Sequence, residues 1–150
     1  MASPNNPPKA RLATCNCLAL RQAARHVTQF YDQVLAPSGL RTTQFSVLAT
    51  LLHQGPMTIN HLAKDLVMDR TTLGRNILPL QRDGLIAAFR GTADRRSKEL
   101  HVTKAGEARL RTATKLWAMA QNRFEAVVGS PGASALRAVL REISVKEFVR

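Results

Sequence analysis

The chain has 150 residues, 22 Lys+Arg against 10 Asp+Glu, and a formal net charge of +12 with a pI near 11.2. That length fits one domain with a sizeable core, and a mean hydropathy of −0.15 with 45 % hydrophobic residues excludes a disordered chain. No run approaches the ~18 apolar residues of a membrane span, so the charge points to polyanions: nucleic acid first, an anionic membrane surface second.

The start, Met1-Ala2-Ser3-Pro4-Asn5-Asn6-Pro7-Pro8, lacks the basic and apolar regions of a secretory signal. Two cysteines, Cys15 and Cys17, make no disulfide framework. A cytoplasmic protein is expected, with residues 1–13 as a disordered tail and one domain over 14–150.

From about Thr14 to Ala36 the pattern is helical, with Cys17, Leu20, Ala24, Val27, Tyr31 and Val34 on one seam. Pro37-Ser38-Gly39 stops it. A second helix covers about Thr43 to His53 and turns Phe45, Leu48, Leu51 and Leu52 inward. Two short helices follow in close succession. Thr58 can cap the first, over Ile59, Leu62, Ala63 and Leu66; Asp69 can cap the second, over Leu73, Ile77 and Leu80. The link Val67-Met68 is so short that the pair must cross sharply, which is the signature of a helix-turn-helix. Pro79 conflicts with its helix by about 3 kcal/mol, predicting a kink or an early end and restart.

After Asp83-Gly84 the period falls to two. Leu85 to Arg90 and Glu99 to Thr103 read as strands around a polar hairpin, with Leu100 and Val102 on one face. Thr103 then caps a long helix to about Val128, with Leu110, Trp117 and Phe124 at steps of seven. A last helix after Ser130-Pro131 carries Leu136, Val139, Leu140 and Ile143 on one side. The fold class is mainly α with a small β-hairpin: a winged helix-turn-helix over 41–103, flanked by long helices over 14–36 and 104–150.

Two surfaces suit a duplex. The outer positions of the second helix of the pair are Arg70, Thr71, Thr72, Arg75 and Asn76. Arg matches guanine, Asn matches adenine, and Thr serves a phosphate or a thymine methyl. The hairpin supplies Arg90, Arg95, Arg96 and Lys98 with Ser97, against Asp94 alone, a net +3. Arg at a wing tip can enter a narrow minor groove; Asp94 is expected to pair with an Arg and position it.

The helix-turn-helix, Asp83-Gly84-Leu85-Ile86, the Asp94-Arg95-Arg96-Ser97 wing and the run Leu100-His101-Val102-Thr103-Lys104-Ala105-Gly106 together resemble the MarR family of bacterial transcription regulators. The likeness runs from about Cys17 to Ile143. It implies a homodimer joined by the first and last helices, a palindromic operator on double-stranded DNA, and a small phenolic or other lipophilic effector, or an oxidant, that lowers DNA affinity. Under that resemblance an effector cavity is expected near His26, Phe30, Tyr31 and Phe45. The seams agree, since a long amphipathic helix at each end needs a second surface to bury. Two recognition helices about 34 Å apart would read half-sites centred roughly 10 bp apart.

Cys17 and Tyr31, on one stripe, resemble the organic-hydroperoxide-sensing branch of the family. The other supporting Tyr of that branch would fall at Arg21, so the pattern is incomplete. Cys17 is then either a thiol sensor, with Cys15 a candidate for a bridge between chains, or a small apolar residue at the seam. His26, His53, His61 and His101 show no metal-ligand spacing, and no residues pair a nucleophile with a base, so neither a metal, a cofactor nor an enzyme is expected. The rival readings are a nonspecific architectural DNA-binding protein and a winged-helix module for an acidic protein partner.

Overall fold

A computed structural model describes residues 12–148. Most of the expected tail, residues 1–11, lies outside the described residues; Leu12 and Ala13 have helical backbone. Helix α1 (Asn16–Leu35) starts two residues later than its apolar spacing suggests, because Cys15 is extended and caps it, its Sγ accepting the Leu18 N–H at 3.4 Å. A 3-10 turn (Ala36–Ser38) and Gly39 at φ 75° end it. The buried Ser38 hydroxyl donates to the Leu35 carbonyl at 2.7 Å, and Asp32 Oδ1 accepts both the N–H and the hydroxyl of Thr42 at 2.7 Å. Helix α1 is thereby tied to the start of α2 (Thr42–Gln54).

A short strand β1 (Met57–Thr58) precedes α3 (Ile59–Asp65), which Thr58 caps through the His61 N–H. The turn into α4 (Arg70–Arg82) passes through Val67 at φ 52°, with the Met68 N–H on the Ala63 carbonyl at 2.8 Å. Pro79 lies inside α4, which runs through it as one helix and does not end and restart. Strands β2 (Ile86–Arg90) and β3 (Lys98–Val102) form the hairpin. The sheet has three antiparallel strands in the order β1-β3-β2, with Met57 opposite Leu100 and Ala88 opposite Leu100 on its other side. Helices α5 (Lys104–Val128) and α6 (Ser130–Val145) complete the chain around Gly129 at φ 84°.

The run from Thr103 to Gly106 has a direct structural cause. The Thr103 hydroxyl accepts the Gly106 N–H at 3.1 Å, capping α5, and donates to the Gly84 carbonyl at 2.6 Å. A Cβ on Gly106 would strike the Leu85 carbonyl, so only glycine lets α5 seat against the end of the sheet. One core unites Leu35, Val47, Leu48, Leu62, Leu73, Ile77, Leu80, Ile86, Leu100 and Leu110. It joins α1, the helix pair, the sheet and the first turns of α5. Leu52 departs from expectation at 49 % exposed. The seam of α1 is bare over Cys17, Leu20 and Ala24, and so is the apolar side of α6 at Leu136, Val139 and Leu140.

Candidate nucleic-acid interface

Burial of Leu73, Ile77 and Leu80 fixes the rotation of α4. With 3.6 residues per turn, the side opposite these three is centred on Thr71 and Arg75, both exposed. Thr72 and Asn76 lie on one flank and Arg70 on the other. The flanking pair is committed to the helix itself. Asp69 caps α4 by accepting the Thr72 N–H at 2.8 Å and the Thr72 hydroxyl on its second oxygen, while Asn76 Nδ2 donates to the Thr72 carbonyl at 2.9 Å. The Thr72 hydroxyl bond, followed by the backbone N–H bonds, holds the Asp69 carboxyl below its ordinary pKa. Among the described residues, the side chains of Arg70, Thr71 and Arg75 take part in no such bond.

The wing is shaped by its own backbone. Asp94 Oδ1 accepts the Arg96 N–H at 2.9 Å, and the Ser97 hydroxyl and N–H both donate to the Asp94 carbonyl at 2.8 and 3.0 Å. A Cβ on Gly91 would meet that same carbonyl at 2.7 Å. Asp94 therefore positions the wing through an amide, where an ion pair with an Arg was expected; it forms none among the described residues. The reason is local: an Asp carboxylate two residues before an amide closes a turn at little entropic cost. The four cations Arg90, Arg95, Arg96 and Lys98 are left facing solvent.

Helix and wing meet across an open groove of 540 Å³ to which Arg70, Gly74 and Gln81 contribute from α4, and Arg96 and Lys98 from the wing. Gly74, Gln81 and Asn60, which no motif in the sequence marks for DNA, line it too. A glycine inside a helical pattern was the signal available.

A second groove, 470 Å³ and mainly apolar, lies between α1 and α5. His26 and Phe30 line it as expected of an effector cavity, with Arg123, Phe124 and Val127 added. Tyr31 and Phe45 are elsewhere. The Tyr31 hydroxyl donates to Gln121 Oε1, and its ring meets Phe30 edge-on at 5.4 Å. Burial raises the Tyr31 pKa, Glu125 adds to the rise and Arg137 opposes it. Phe45 stacks on Trp117, centroids 5.9 Å apart. Cys17 is exposed and Cys15 half-buried at the cap. No helix among the described residues is long and apolar enough to cross a membrane.

Known proteins share both sequence and fold with this chain. The MarR family model matches residues 40–98. An HTH-type transcriptional regulator of Bacillus subtilis, YwoH, is 33 % identical over 88 residues, a match that spans 59 % of this chain and 64 % of that protein's length. The transcriptional regulator MosR of M. tuberculosis, solved in complex with DNA, is 38 % identical over 87 % of this chain and 93 % of its own, with a TM-score of 0.76. The transcriptional repressor CouR, bound to a 23-mer DNA duplex, is 28 % identical over 93 % and 99 %, with a TM-score of 0.81. The winged helix-turn-helix fold is thus one this chain shares with regulators of gene expression, and the chain belongs to the MarR family of transcription regulators.

Proposed function

We propose that the chain is a cytoplasmic, homodimeric repressor that reads a palindromic operator and is released by a small lipophilic or phenolic effector. The observation that carries the DNA reading is the convergence of Arg70 from α4 with Arg96 and Lys98 from the wing on one groove. The complexes of MosR and CouR with DNA support it. Thr71 and Arg75 face the floor of the major groove, where Arg75 has the reach and geometry for a guanine and Thr71 for a thymine methyl. Thr72 and Asn76, committed to Asp69 and to the helix carbonyl, hold the helix in shape. Arg95 and Arg96 take the phosphates and the minor groove.

Dimerisation accounts for apolar surface a single chain leaves wet. Leu136, Val139 and Leu140 of α6 are 42, 53 and 37 % exposed, and Leu20 of α1 is 41 % exposed. A second copy related by a twofold axis covers all four at once. An effector seated between α1 and α5, at His26 and Phe30, changes the spacing of the two recognition helices, and the half-sites are no longer held together.

A band shift tests the reading: DNA from around the chain's own gene against scrambled duplexes of equal length. Selective binding, relieved by a phenolic compound, is the expected result; equal affinity for every sequence would favour the architectural alternative. A second reading, thiol control through Cys17, is favoured by the exposure of that residue in the first turn of α1. It requires that an organic hydroperoxide weaken operator binding in the wild-type chain and leave Cys17→Ser unaffected.

A further inference from the structure

Gly74 stands in the interior of α4, where glycine weakens a helix relative to alanine. Nothing among the described residues requires it. A Cβ at Gly74 would meet no atom of the described residues within 4 Å beyond its chain neighbours and the adjoining backbone of its own helix, and its φ is not positive, whereas a Cβ at Gly91 or Gly106 would collide with backbone. The bare side of Gly74 opens into the groove between α4 and the wing, whose rim carries Arg70, Arg96 and Lys98 and, among the described residues, no acidic side chain. Leu78 lines the same groove and is 64 % exposed. Cations at the rim and an apolar wall beside an open backbone match the chemistry of a sugar–phosphate chain, anionic at its phosphates and apolar on its deoxyribose faces.

The topology of a duplex supplies the occupant. A protein that places a helix in the major groove and a wing in the adjacent minor groove must straddle the one strand that separates them. We propose that the groove between α4 and the wing is the seat of that strand's backbone, with Gly74 as the point of closest approach and Arg70, Arg96 and Lys98 on its phosphates. The seat rests on the DNA-reading function proposed above, and it moves Arg70 from the base-reading set to the phosphate set.

The experiment uses the full chain as wild type, Gly74→Ala and Arg70→Ala, each followed by thermal melting and by band shifts on an operator and a scrambled duplex at several salt concentrations. Gly74→Ala should raise Tm by about 2–4 °C while weakening both duplexes about tenfold, or about 1.4 kcal/mol. The operator-to-scrambled ratio should stay as it is. Arg70→Ala should reduce the salt slope by about 1, again at an unchanged ratio. A Gly74→Ala chain that is stabilised and binds DNA as the wild type does overturns the seat, as does one that is destabilised. An Arg70→Ala chain that loses discrimination at an unchanged salt slope also overturns it. A wild-type chain that binds no duplex overturns the regulator reading, and the seat with it.

Discussion

Thr103→Val removes one hydroxyl and keeps the shape of the side chain. Two interactions go with it. The Gly106 N–H loses its acceptor at 3.1 Å, and the Gly84 carbonyl loses a donor at 2.6 Å. Loss of an N-cap costs about 1 kcal/mol. The Gly84 carbonyl is at the surface and water can replace the hydroxyl, so the second bond contributes about 0.5 kcal/mol. The sum, about 1.5 kcal/mol, corresponds to a fall in Tm of about 3–6 °C for a chain of this length. In urea the midpoint should drop with the slope unchanged. Thr103→Ser keeps the hydroxyl and should recover most of the loss. A Thr103→Val chain within about 0.5 kcal/mol of wild type, or a Ser variant as damaged as the Val one, would refute the assignment of this junction to the hydroxyl.

Arg75→Ala should cost about 1–3 kcal/mol of discrimination between operator and mismatched duplexes in band shifts; Asn76→Ala, whose amide is spent on the Thr72 carbonyl, should leave that discrimination intact. Val67→Gly should stabilise the fold by about 0.5–1 kcal/mol in urea titration, because the left-handed conformation at φ 52° strains a β-branched residue that is 72 % exposed and has little contact to lose. The Asp69 carboxyl has a folded pKa below its unfolded one, so its capping contribution is complete above the ordinary carboxyl range and disappears as pH falls through the folded value. Urea titrations from pH 7 down to about 3 should show that decline in the wild type, and Asp69→Asn should lack it.

Elements with a dense apolar period were legible from the chain alone. Asp69 followed by Leu73, Ile77 and Leu80 defines α4 by cap and by face, and the structure follows both. Strand β1 was not legible, since Met57–Thr58 is too short for alternation to register and exists only by pairing with Leu100 and Glu99. The commitments of polar side chains were hidden for a different reason. Thr72, Asn76 and Ser97 have residue types that suit DNA and Asp94 one that suits an Arg, yet each satisfies a neighbouring bond first, and only rotamers decide which. Phe45 fits an effector cavity by composition; its stack on Trp117 is a tertiary contact between α2 and α5 that no spacing announces. Leu20 and Leu140 read as seam residues that need a second surface, and both are exposed in one chain.

In the proposed dimer, two copies present two recognition helices at one fixed spacing. Inserting 5 bp, about half a turn, between the half-sites of an operator selected by the protein tests it most directly. Binding of the full chain should fall towards its affinity for scrambled duplex, because the second helix then faces the wrong side of the DNA. Binding to the lengthened operator as tight as to the original would contradict it.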